Sequence, residues 1–218
     1  MERIIERNEI SDIASLLIET LTIPIPENFK PDALATLPGL GENQRILQPL
    51  KKWKENFGEH FLLAGIYSKE KHFEELNLKR LRQPPYCLQR TLNFHIQLRA
   101  RHTKEQTDWI ANQVTELKIS SLFFYAPIYH LTRAYLTLLK SLIQSKTKPI
   151  ILIPKPIVMP LNTIVPEENV PARSLIPGEI ERIKIYQEKG DVATLEELET
   201  YLDSILYPFL MGSSLNLG

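Results

Sequence analysis

The chain has 218 residues, 43% hydrophobic and 24% charged, which fits one globular domain and excludes gross disorder, collagen and a disulfide scaffold. Its single cysteine, Cys87, permits neither an intramolecular disulfide nor a cysteine-based zinc site. The net charge of zero hides a pattern: residues 1–75 carry −4, residues 76–166 carry +10 and residues 167–218 carry −6.

A basic middle between acidic ends points either to an anionic ligand or to internal charge pairing. No apolar run is long enough to span a bilayer. The nearest, Leu122 to Leu142, is interrupted by His130 and Arg133. The opening Met-Glu-Arg-Ile-Ile-Glu-Arg is too charged for a secretory signal, so a soluble cytoplasmic protein is expected.

Taken in chain order, Ile10 to Leu21 reads as an N-terminal helix. Asp32 to Leu37 is a first strand, followed by Pro-Gly-Leu-Gly41 and a helix over Glu42 to Asn56 that Gly58 should stop. His60 to Gly65 is a second apolar run ending in glycine. Residues 66–90 lack periodicity, contain Pro84-Pro85 and read as an insertion or lid. Leu92 to Leu98 is a third strand, and Thr103-Lys-Glu-Gln106 reads as a capping box opening the next helix. Ser120 to Ala126 is continuously apolar, as in a buried parallel strand, and Pro127 suits the first turn of a helix reaching Ile143. Pro149 to Val158 is a fifth strand whose prolines push it to the sheet edge. Residues 149–177 hold 7 of the 16 prolines and read as a stiff, extended connection. A C-terminal helical pair follows over residues 177–207, its second member opened by Thr194-Leu-Glu-Glu197. Strands alternating with helices argue for a doubly wound, mostly parallel sheet of about five strands within a single domain, its core at 31–158.

In such a sheet, ligands gather at the carboxyl ends of the strands. Four segments belong there. Gly39 and Gly41 let backbone amides approach an anion, although no third glycine completes a dinucleotide fingerprint. Gly65 closes the second strand. Arg101 and Thr103 stand at a helix start beside His102 and Glu105. His130 and Arg133, three apart, share one helix face. An unpaired guanidinium in so apolar a helix is costly, so Arg133 must meet either Glu105 or a ligand anion. His130 is a candidate acid or base, or a hydrogen-bonded core histidine.

No nucleophile elbow, Walker loop or His-Glu-x-x-His pattern occurs, and the five histidines lack metal-ligand spacing. Arg80, Arg82, Tyr86 and Arg90 give only a faint nucleic-acid signal, so nucleic acid is not the expected partner.

These four segments, in order, resemble the YdcF-like family, whose domain is shared with the SanA and ElyC envelope proteins. The resemblance covers residues 31–143 and is closest at Ala126-Pro-Ile-Tyr-His130-Leu-Thr-Arg133-Ala134. It implies a Rossmann-like three-layer α/β/α domain whose site gathers Gly39, Gly41, Gly65, Thr103, Glu105, His130 and Arg133. The chain departs from the family pattern at Ala100, Gln106, Ala126-Pro127, Ala64 and Gln97. Small hydroxyls that could position a ligand are thereby lost while the charged residues remain. No membrane anchor like that of the envelope members is read in the sequence, so a cytoplasmic relative is expected.

The leading expectation is a protein binding a small anionic molecule, of the nucleotide or S-adenosylmethionine type, by fold analogy. Gly39 and Gly41 would admit the ligand, Arg101 and Arg133 neutralise it, and Glu105 accept from a hydroxyl or amine. If there is turnover, His130 with Glu105 would carry acid–base work in hydrolysis or group transfer. No cofactor is identified. The alternative is a non-catalytic interaction or regulatory protein that uses the basic middle to bind a partner or RNA.

Overall fold

The computed structural model describes residues 9–65, 76–146 and 148–212. Strands β1 (Ala33–Thr36), β2 (His60–Ala64), β3 (Phe94–Gln97), β4 (Ser121–Pro127) and β5 (Ile151–Ile157) form one sheet in the order β3-β2-β1-β4-β5. All four pairings are parallel. Helices α1 (Glu9–Thr22), α2 (Gln44–Lys54), α3 (Leu78–Leu81), α4 (Thr103–Glu116) and α5 (Ile128–Gln144) precede α6 (Ile176–Glu188), α7 (Leu195–Tyr201) and α8 (Tyr207–Leu210). Helices flank both faces of the sheet, giving the expected three-layer, Rossmann-like α/β/α fold. Among the described residues, no helix is long and apolar enough to cross a membrane.

Every residue of β1 and β4 is buried, which is why these strands read as continuous apolar runs rather than as alternation. In-register pairing lines up Phe94, Phe61, Leu34, Phe123 and Ile153 as one row across the sheet. Trp53 of α2 packs on this row, 5.7 Å from the ring centres of both Phe61 and Phe94. Phe57 and Phe29 pack against Phe123 at 5.5 and 5.8 Å. At the opposite end of the strands from their carboxyl termini, the Asp32 carboxylate accepts from the amides of Ser120 and Ser121, and the Asp32 amide donates to Ser121 Oγ. That reciprocal pair fixes where β1 meets β4.

The fifth strand lies at the edge, as its prolines require. Ile151 donates to Ser120 O, so odd-numbered residues of β5 face β4 and even-numbered ones face outward. Pro154 and Pro156 fall on the outward set and offer no N–H there. The remaining outward amide, Leu152 N–H, donates to Tyr201 Oη at 2.7 Å, and the same hydroxyl reaches Ile150 O. Thus α7 closes the edge with one side chain.

Three local expectations are corrected. Asn56, with φ 60°, rather than Gly58 ends α2: Phe57 N donates to Lys52 O and Asn56 N to Trp53 O. The connection 149–177 is not uniformly extended, since β6 (Ile164–Val165) and β7 (Val170–Pro171) form an antiparallel pair before the 3-10 turn Ala172–Leu175. Helix α4 is capped by His102, not Thr103; His102 Nδ1 accepts from Glu105 N, and Gln106 instead donates to Ala64 O at 2.8 Å. The capping box at Thr194–Glu197 is present as read. Of the segment 66–90, residues 66–75 lie outside the described residues. Residues 76–90 hold α3 and are tied to α2 by Lys54, which donates to Cys87 O.

Tyr201→Phe should leave the Leu152 amide without its partner and cost about 1–3 kcal/mol in urea unfolding. A loss within a few tenths of a kcal/mol would show that water replaces the hydroxyl and that α7 does not close the edge.

Candidate functional site

A cavity of about 420 Å³ opens at the carboxyl ends of the strands, where the strand order reverses between β1 and β4. The turn after β1 supplies Pro38 and Gly39, and the start of α4 supplies Arg101 to Lys104. The start of α5 supplies Tyr129, His130 and Arg133, and α6 supplies Glu179 and Arg182. Glu167 and Glu168, between β6 and β7, complete the rim. The topological switch point is where a parallel sheet leaves a crevice, because neighbouring connections run to opposite faces.

Five of the eight expected site residues therefore line one cavity: Gly39, Arg101, Thr103, His130 and Arg133. Gly41, Gly65 and Glu105 are not among its lining residues. Gly41 takes φ 73° in the turn before α2. A Cβ on Gly65 would stand 2.2 Å from Gln97 O, so this glycine serves the close approach of the β2 and β3 ends. Glu105 sits on the exposed side of α4, its carboxylate 2.6 Å from Arg101 Nη2 and accepting from Arg101 N at 2.7 Å. The hydrogen bond from the Arg101 side chain holds its pKa down at about 2.

Arg133 meets neither Glu105 nor an empty cavity. Its Nε donates to Glu179 Oε2 at 2.7 Å and its Nη2 to Glu179 Oε1 at 3.1 Å, a bidentate pair from α5 to α6. Nη1 donates to Thr103 Oγ1 at 3.3 Å, which gives the threonine hydroxyl a role other than capping. Glu179 also accepts from Arg182 at 2.9 Å and lies 2.7 Å from His130 Nδ1.

The protonation states follow. His130 is 5% exposed, and burial, reinforced by the Arg133 charge, brings its pKa down to about 4; Glu179 pulls the other way and loses. Burial alone would raise the Glu179 pKa, but hydrogen bonds from His130 and Arg133 hold it well below the usual carboxylate range. At neutral pH the pair is thus a neutral imidazole and a carboxylate. A carboxylate only accepts, so Nδ1 carries the proton and Nε2 the lone pair. With Nδ1 donating to Glu179, the 3.3 Å approach of Arg133 Nη2 to that nitrogen is not a hydrogen bond.

A second buried cluster adjoins the first. Tyr129 Oη donates to Glu42 Oε1 at 3.0 Å and accepts from Arg45 Nη2, while Glu42 and Arg45 form an ion pair. A Cβ on Gly39 would lie 2.2 Å from Glu42 Oε2 and 2.7 Å from Arg45 Cζ. The glycine expected to admit a ligand is therefore also what lets this pair pack beneath the turn. Arg45 Nε is buried with no hydrogen-bond partner.

Sequence reasoning missed Glu179, Arg45 and Glu42. The one signal for Glu179 was the charge contrast between the basic middle and the acidic C-terminal segment, which says that pairs form but not which. Among the described residues, no group of three His, Cys, Asp or Glu side chains could hold a metal ion.

In the unfolded chain His130 binds a proton as pH falls through about 6.5, whereas in the fold it does so only near 4. The unfolded state therefore gains protons first, and stability falls as pH drops across that window, by up to about 3 kcal/mol from this residue. His130→Asn should flatten the slope of urea-unfolding stability between pH 6.5 and 4, leaving the loss below about 4.5 that Glu179 and Asp32 contribute. An unchanged slope would assign the titration to another group.

Comparison with family models, with curated proteins and with solved structures found no match to this chain, so the chemistry of the site rests on its geometry.

Proposed function

We propose that this chain, as a cytoplasmic relative of the YdcF-like family, binds a small anionic molecule of the nucleotide or S-adenosylmethionine type in the cavity at the strand switch point. The observation that carries the reading is the convergence there of Arg133, His130 and Thr103 from the starts of two helices, on a cavity of about 420 Å³. That volume falls in the range of small-molecule sites. Arg45, Arg101, Lys104, Arg182 and Lys189 line the same cavity and supply donors for phosphate or carboxylate oxygens.

A second reading has one specific observation behind it. Arg133 is already neutralised by Glu179, which is what a structural ion pair joining α5 to α6 requires. The protein would then be a non-catalytic interaction module working through its basic middle segment. Two of the arginines of that segment lie against aromatic rings away from the cavity, Arg80 over Tyr86 at 5.0 Å and Arg90 over Trp53 at 5.7 Å.

A thermal-shift series with AMP, ATP, S-adenosylmethionine, inorganic phosphate and a poly(U) RNA separates the two. A small ligand at a hundredfold its dissociation constant should add about 2.7 kcal/mol, and Arg133→Ala should abolish that gain. The variant itself should lose about 3 kcal/mol, because Glu179 is left with fewer partners in a buried position. No response to the four small molecules, together with RNA binding lost on replacing Arg80, Arg82 and Arg90 by glutamate, would establish the second reading instead.

A further inference from the structure

We propose that His130 is a general base that hydrolyses a phosphate ester bound in this cavity, with Glu179 as the positioning residue that fixes its tautomer. The inference rests on the binding reading above and adds a reaction to it. Its geometric basis is the line Glu179 carboxylate, Nδ1–H, imidazole, Nε2. Nδ1 is committed to Glu179 at 2.7 Å, and Nε2 has no hydrogen-bond partner among the described residues. The buried side-chain atoms without a partner are Glu42 Oε2, Arg45 Nε and Tyr207 Oη. Nε2 is not one of them, so it is not sealed inside the protein, and His130 lines the cavity.

The surroundings favour a base over an acid. The charged groups around the ring are Arg133 on its own helix, Arg45 with Glu42 from the α2 side, and Glu179 with Arg182 from α6; Tyr129 and Thr103 are the neutral polar neighbours. Burial above all, with the Arg133 and Arg45 charges beside it, keeps the imidazole unprotonated at neutral pH, in the form that removes a proton. The same guanidinium groups suit the charge that spreads over the equatorial oxygens of a phosphoryl group in transfer. That combination selects a phosphate ester over a neutral acyl ester, which would need paired backbone donors instead.

The step balances with water as the only co-reactant. Nε2 takes one proton from a bound water, and the water oxygen forms a bond to phosphorus as the bond from phosphorus to the leaving oxygen breaks. The proton on Nε2 then passes to that leaving oxygen, which restores the neutral imidazole and releases an alcohol and a phosphate. Glu179 moves no proton; it orients the ring and stabilises the transient imidazolium.

The test uses the full chain with p-nitrophenyl phosphate and bis(p-nitrophenyl) phosphate, alongside the thermal shift given by inorganic phosphate. The expected result is release of p-nitrophenolate from one of the two esters, with kcat losing its dependence on pH well below 6.5. His130→Asn should lower kcat at least 100-fold with KM changed less than threefold. Glu179→Gln should lower kcat at least tenfold at unchanged KM, and Glu179→Asp should recover part of the loss. Because His130 is buried, circular dichroism checks the fold of each variant, and His130→Gln replaces His130→Asn if the latter does not fold. Stabilisation by phosphate without turnover of either ester would overturn the catalytic inference and leave the binding reading standing. Turnover unaffected in folded His130 variants would overturn the assignment of the base. Neither stabilisation nor turnover would overturn both.

Discussion

Glu179 is the one carboxylate on which both the packing of the C-terminal segment and the state of the candidate site depend. It accepts from His130 and Arg133 on α5 and from Arg182 one turn along its own helix. Taking a carboxylate out of water costs several kcal/mol, and only this number of charge-assisted hydrogen bonds offsets it. The bridge is what lets α6 lie on α5 although its own sequence is only weakly amphipathic, with Ile183 as its one buried hydrophobic residue. It also decides the chemistry of His130. A carboxylate at Nδ1 forces the tautomer with the lone pair on Nε2, while burial, with the charges of Arg133 and Arg45, keeps the ring neutral.

The neighbouring residues Tyr129 and His130 show how one helix start serves two clusters. Tyr129 turns to Glu42 and Arg45, next to β1, and His130 turns to Glu179 and Arg133, below α6. Both face the strand switch point because β4 delivers the start of α5 there, and β4 is held in register with β1 over Leu122 to Tyr125. The requirement for a small residue at position 39 follows from this packing. Glycine there leaves room for the Glu42–Arg45 pair, so the turn is shaped by a buried ion pair as much as by any ligand.

The parallel sheet and most helix boundaries were legible because they depend on short-range pattern. Continuous apolar runs mark β1, β2 and β4, Pro154 and Pro156 mark an edge strand, and Thr194 with Glu197 marks a helix start. What failed were choices decided by distant partners. Thr103 is the better N-cap by type, but its hydroxyl is drawn toward Arg133, and His102, with φ −157°, caps the helix instead. The partner of Arg133 could not be read because it lies 46 positions along the chain, among the 10 acids of the C-terminal segment. Glu105 was the nearer choice by sequence, yet its place in the first turn of α4 puts it beside Arg101, on the far side of Thr103 from the cavity.

The charge contrast along the chain, −4, +10 and −6, was open to two explanations, and the structure shows the internal charge pairing. Arg133–Glu179 and Lys140–Glu197 join the basic middle to the acidic C-terminal segment, while Arg101–Glu105, just ahead of α4 and in its first turn, and Lys104–Asp108 within α4 are settled locally. Five of the cavity's cations, Arg45, Arg101, Lys104, Arg133 and Arg182, already have carboxylate partners. Such pairing removes most of the long-range field that would steer an anion from solution. What it leaves is a set of donors held in place by the fold itself, so that under the proposed binding little ordering entropy would be lost. Discrimination at a site of this kind comes from where the N–H and O–H groups point rather than from net charge. A neutral imidazole among paired guanidinium groups belongs to the same economy: the charges near it are already compensated, and the lone pair on Nε2 is left uncommitted.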